Sequence, residues 1–223
     1  ADTYMWAFMA KPELTIHTPM QRTKARGWSG CKTILLELFC GALILTALVS
    51  GRGFPVSQPT DIGLDGVDLT TADGRAEIEA QIERDDPFAL VIPYPCGPWN
   101  SLTYWNASRH PEFAKHNQQV QKEHRPMLDW ISKVSKSRID KGRIVLLENG
   151  QTSRAWDLEC FQSMDGYPDG LMSTEFNFVT GDQCMLGQHD RESGLPFRGR
   201  TIWGTNSEVL KNLLEVCCDA SHI

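Results

Sequence analysis

The sequence predicts a doubly wound α/β domain with a mostly parallel sheet, and three observations carry that reading. Short, continuous apolar runs recur at Thr33–Phe39 (TILLELF), Phe88–Ile92 (FALVI) and Arg143–Leu147 (RIVLL). Segments with helical patterning separate them, the alternation expected of strands buried on both faces by crossover helices. Polar residues gather where each run ends, which is the edge at which such sheets bind ligands.

The elements follow in order. Residues 1–30, with Pro12, Pro19 and the basic stretch Arg22–Arg26, read as an extension ahead of one α/β domain over 31–223. After the first strand, Ala42–Ser50 has neither glycine nor proline and predicts a helix that Gly51 and Gly53 stop. Phe54–Asp61 predicts a second strand, made short or edge-like by Pro55 and Pro59. Ala76–Arg84 is patterned as an amphipathic helix. Glu112–Ile139 is the longest helical stretch, expected to split or kink at Pro126.

Composition narrows the classes. With 223 residues, 41% hydrophobic and 22% charged, the chain can build one sizeable core. The longest apolar stretch, Ile34–Val49, is broken by Glu37, Gly41 and Thr46, short of the roughly 20 apolar residues a membrane span needs. A net charge of −6 disfavours a general nucleic-acid coat, yet residues 109–143 carry nine bases against four acids. That segment is a candidate face for a polyanion, with a solvated helix surface as the alternative. Seven cysteines without CxxC spacing suggest reduced thiols in an intracellular setting, nucleus or cytoplasm. The pair Cys217-Cys218 with His222 makes a poor chelate, so no metal is expected.

Three strand ends carry chemistry: Glu37-Leu38-Phe39-Cys40-Gly41, Pro95-Cys96-Gly97-Pro98-Trp99-Asn100 and Glu148-Asn149-Gly150. In this order they resemble the motifs of cytosine-C5 methyltransferases. The wider pattern over roughly 33–206, including RGRT and TN near its end, is similar to methyltransferase-like segments of retrotransposon polyproteins. The resemblance implies a Rossmann-like sheet of the S-adenosylmethionine-dependent methyltransferase type.

It also implies roles. Glu37, Phe39 and Gly41 belong to the cofactor loop, and Pro95 closes on the same site. Asp61, 22 residues after Phe39, corresponds to the ribose-binding acid, and Asp68 to the acid beside the adenine. Cys96 is the nucleophile, Glu148 the carboxyl group that bonds the cytosine ring, and Asn149 the residue that orients the loop. Gly97, Trp99, Asn100, Arg198 and Arg200 fall to the substrate, a nucleic acid with DNA ahead of RNA. The chemistry needs these types: C5 of cytosine becomes nucleophilic only when a thiolate adds to C6 and a carboxyl group stabilises the electron-rich ring.

Two features point toward a second class. The loop has only Gly41 where the family carries several small residues, and no separate target-recognition domain is expected after Arg200. A catalytically silent module that keeps the fold and binds nucleic acid or a protein partner therefore stands beside the enzyme. Thiol hydrolase chemistry is a third reading, but no histidine occupies a strand end where it would activate Cys96.

Overall fold

The computed structural model describes residues 30–41, 43–162, 170–190, 193–196 and 199–219. The extension before Gly30, Arg198 and His222 lie outside them. The elements are β1 (Leu35–Glu37), α1 (Ile44–Gly51), α2 (Ala72–Asp85), β2 (Ala89–Pro93), α3 (Ser101–Arg109), α4 (Pro111–Asp140), β3 (Ile144–Gly150), β4 (Asn177–Asp182), β5 (Arg200–Thr205) and α5 (Glu208–Leu214). Short 3-10 turns follow β2 at Gly97–Trp99 and β3 at Arg154–Asp157.

The chain forms a five-stranded mixed sheet in the spatial order β1-β2-β3-β5-β4. The first three strands are parallel, and β5 is antiparallel to both of its neighbours. The second strand expected over Phe54–Asp61 is reduced to two parallel bridges beside β1, Leu35 with Val56 and Leu38 with Thr60. Pro55 and Pro59 have no N–H to donate, so a continuous ladder cannot form. The chain thus leaves β1 outward, to residues 55–60, and returns across it to β2. That reversal opens a crevice at the carboxyl end of β1.

Side-chain alternation sorts the two faces. Leu36, Leu38, Leu90, Ile92, Val145 and Leu147 form one core with Ile78 and Ile82 of α2 and Met127, Leu128 and Ile131 of α4. The intervening Leu146 packs on the other face with Val179, Trp203 and Leu214 of α5. Each such side chain, fully buried, stabilises the fold by about 1.5–3 kcal/mol.

Helix α4 differs from the sequence expectation. It runs unbroken through Pro126, which is exposed, so the carbonyl that loses its helical partner can turn to water. The basic stretch 109–143 is also not one face. Arg138 and Arg143 both pair with Asp86, Lys141 with Glu83, and Arg125 with Asp129 and Glu159. Asp86 follows α2 and lies three residues before β2 begins at Ala89, so the Arg138 and Arg143 cluster sits at the amino end of the strands. Two guanidinium groups there share one carboxylate, and the cluster lies away from Cys96.

Helix α2 starts where the crevice needs a fixed turn. Thr71 Oγ1 accepts from Gly74 N at 3.1 Å and donates to Asp68 O at 2.7 Å. A Cβ on Gly74 would stand 2.1 Å from that same carbonyl oxygen. Only glycine fits, and the tight turn holds Asp68 in place.

Candidate active site

Glu148 lies near the end of β3, in register with Pro93 of β2 on one side and Trp203 of β5 on the other. Its residue is 6% exposed, and its Oε1 is buried without a hydrogen-bond partner among the described residues. Burial alone raises its pKa to about 7. A carboxyl group removed from water and left unpaired holds its proton near neutral pH. Such a group is costly to keep, which marks it as a candidate for chemistry.

The loop after β2 delivers Cys96 beside it. Tyr94 is buried against Trp156, edge to face at 5.3 Å, and against Phe161, stacked at 5.6 Å. Asn149 Nδ2 donates to Tyr94 O at 3.0 Å, while its Oδ1 accepts from Gly150 N at 2.8 Å. Beyond Cys96 the Gly97 carbonyl accepts from Asn100 Nδ2 at 3.0 Å and from Thr103 Oγ1 at 2.7 Å. Asn100 Oδ1 also caps α3 by accepting from Thr103 N at 2.8 Å. The loop is fixed on both sides of the thiol. Gly97 has no atom within 4 Å of where a Cβ would stand, so one side of the loop is open.

The Cys96 thiol is pushed above its ordinary value, chiefly by burial and next by the field of the Glu148 carboxylate. The charge state of Glu148 therefore bears on the thiol. While Glu148 keeps its proton, the cost of forming the thiolate falls.

A cavity of about 200 Å³ lies in the crevice, lined by Phe39, Asp61, Asp68, Pro95, His124 and Met127 among others. Four of the residues expected at the cofactor meet there. Asp61 spans the crevice mouth, accepting from Gly41 N at 3.2 Å and Gly63 N at 2.9 Å. Asp68 Oδ1 accepts from the backbone and hydroxyl of Thr70 at 2.9 and 2.7 Å. The loop between is bent hard, with Phe39, Gly41 and Leu43 at φ of 52°, 48° and 59°. Two of those three are not glycine and store backbone strain.

Other expected residues stand elsewhere. Glu37 turns to the opposite face of β1, where its Oε2 accepts from Thr46 N at 3.1 Å and Thr46 Oγ1 at 2.7 Å. It braces the start of α1 and does not line the cavity. Trp99 packs into the core and is 6% exposed, so its ring offers no open face to a base. Arg200 opens β5 with its guanidinium on the fully buried Asp182, Nε to Oδ1 at 2.9 Å. The backbone carbonyl of Arg200 accepts from Gln151 N at 3.2 Å, which ties β5 to the loop after Glu148.

His124 was not singled out by the sequence. It lines the cavity from α4, one turn before Met127, and burial lowers its pKa. The i, i+3 spacing to an apolar position was the available signal. Among the described residues no cluster of His, Cys, Asp and Glu is arranged to hold a metal ion, and no helix is long and apolar enough to cross a membrane.

No protein-family model, curated protein or solved structure matches this chain.

Proposed function

We propose that the protein is a methyltransferase on a Rossmann-like doubly wound sheet, acting at C5 of a cytosine in nucleic acid, with DNA ahead of RNA. One observation carries this reading. A half-buried thiol, Cys96, and a buried carboxyl group with an unpaired oxygen, Glu148, stand together at the ends of adjacent parallel strands.

The cavity suits the nucleoside part of S-adenosylmethionine: Phe39, Pro95 and Met127 give apolar walls, and Asp61 and Asp68 give acceptors. At about 200 Å³ it lies below the roughly 300–1,000 Å³ of complete ligand sites, so the Gly41 loop would have to hold the remainder of the cofactor. When bound, that cofactor supplies an electrophilic methyl group.

The chain's own residues do the rest. Glu148, protonated near neutral pH, donates to N3 of the cytosine and so accepts the charge that builds on the ring. Cys96 gives its proton to solvent and adds to C6 as the thiolate, and the electron pair displaced from the C5–C6 bond makes C5 nucleophilic. After C5 is methylated, its proton passes to solvent water, the electron pair of that C–H bond re-forms the C5–C6 double bond, and the C6–S bond breaks to release the Cys96 thiolate. Asn149 is a positioning residue, because it holds Tyr94 two residues before the thiol.

The loop is glycine-poor and the resting thiol is mostly protonated, which favours the silent-module reading. A trapping experiment separates the two. Fluorine at C5 cannot leave as a proton does, so an oligonucleotide with 5-fluorocytosine, incubated with S-adenosylmethionine, should leave an adduct stable to denaturing gels. Cys96→Ser should abolish it. Cys40, buried and pushed up to about 12, should be dispensable. Absence of an adduct on single- and double-stranded DNA and RNA, with cofactor bound, would sink the C5 mechanism and favour the silent module.

A further inference from the structure

Helix α3 leads directly from the Cys96 loop, and its outer face carries exposed aromatic surface paired with arginine. Trp105 is 51% exposed and Leu102 is 64% exposed. The Arg109 guanidinium lies 3.7 Å over the Trp105 ring. Beside it the Arg154 guanidinium, from the turn after β3, lies 4.1 Å over the Tyr104 ring. Tyr104 is itself held by Gln121 Nε2, which donates to its hydroxyl at 3.0 Å. Ser101 Oγ and Thr152 Oγ1, at 3.3 Å, join the start of α3 to the loop beyond Glu148. The two cation–ring pairs are thus built onto the helix and the turn that follow the segments carrying Cys96 and Glu148.

Charge sets this surface apart. Neither Arg109 nor Arg154 has an acidic partner among the described residues, unlike Arg125, Arg138, Arg143 and Arg200. Residues 94–111 and 149–156 contain no Asp or Glu, although the whole chain carries a net charge of −6. An exposed indole on a protein surface attracts any planar apolar group. An exposed indole under one guanidinium without an acidic partner, with a second such guanidinium on the neighbouring ring, selects for a polyanion with flat rings.

We infer that the α3 face binds single-stranded nucleic acid, stacking a base beside the target on Trp105 and seating phosphates on Arg109 and Arg154. This rests on the proposed function for what lies next door, and names the form in which the substrate arrives. Successive bases in a duplex are already stacked on one another and leave no face for Trp105, whereas an unpaired strand offers one at every nucleotide. A guanidinium over a ring face keeps N–H groups that the ring does not use, and phosphate oxygens can accept from them.

The test is fluorescence anisotropy with labelled oligonucleotides of about 12 nucleotides, as single-stranded DNA, the same sequence in RNA, and the DNA duplex. Single strands should bind more tightly than the duplex, and the ribose or deoxyribose preference falls out of the first two arms. Trp105→Ala should weaken single-strand binding on the order of tenfold without moving the melting temperature, since the ring is exposed. Arg109→Ala with Arg154→Ala should flatten the dependence of affinity on salt. Equal or tighter duplex binding, or an unaffected Trp105→Ala, would overturn the inference. So would loss of self-association by Trp105→Ala in sedimentation, with strand binding unchanged. Trp105-dependent binding without any 5-fluorocytosine adduct would support the surface and defeat only the C5 chemistry.

Discussion

Asn149 Nδ2 donates to the carbonyl oxygen of Tyr94 at 3.0 Å, so the strand that presents Glu148 also fixes the loop that presents Cys96. The bond is buried, and it spans the two segments whose relative placement the chemistry needs. Losing it separates stability from geometry in a measurable way.

Asn149→Ala should destabilise the fold by about 1–3 kcal/mol, because the Tyr94 carbonyl is left buried without its donor. Asn149→Asp should cost more, since a carboxylate then faces that carbonyl with the Glu148 carboxyl nearby. Urea midpoints measure both. Iodoacetamide labelling of Cys96 should quicken in Asn149→Ala as the loop loosens, and an unchanged rate at reduced stability would count against the positioning role.

Glu148 should make stability fall with pH. Its pKa rises from 4.5 to about 7 on folding, so the folded state holds a proton that the unfolded state has released across that window. The contribution is whole below 4.5 and lost as pH rises through 7. The lost stability amounts to about 3 kcal/mol. Glu148→Gln has no such proton, so the stability difference between wild type and variant should shift by that amount across the window. A constant difference would mean the carboxyl group is not desolvated. Above neutral pH the Cys96 thiol should also alkylate faster in Glu148→Gln, because the carboxylate that opposed the thiolate is gone.

Pro126→Ala should stabilise the protein by about 2 kcal/mol. It restores the missing helical N–H and removes ring strain in α4, less the entropy that proline takes from the unfolded chain. Thermal melts with circular dichroism measure this, and a destabilised variant would show that α4 depends on the proline.

The parallel half of the sheet was legible because β2 and β3 are buried on both faces, which leaves unmistakable runs such as RIVLL. Strands β4 and β5 were not, because polar residues and the glycines Gly181 and Gly204 break up their apolar runs. Helix α3 hid in a polar sequence, although Asn100 was a usable N-cap signal. Cys96, Glu148 and Asn149 could be read at their strand ends, since their positions follow from where apolar runs stop. The fate of Glu37 depended on the pleat: one residue away from Leu38, it faces α1 instead of the crevice. Trp99 could not be placed from its motif, because only the tertiary packing decides whether an aromatic is wall or platform.

The bend through Phe39 and Leu43 sets folding against the shape of the cavity. Glycine at either position would relax a left-handed backbone that costs side chains of order 1 kcal/mol each. Phe39 also forms part of the cavity wall, so the same change would remove an aromatic surface from the crevice. Phe39 also packs against the core, so the packing lost with its ring offsets the relief, and the strained turn persists because both the core edge and the cavity wall are built on it.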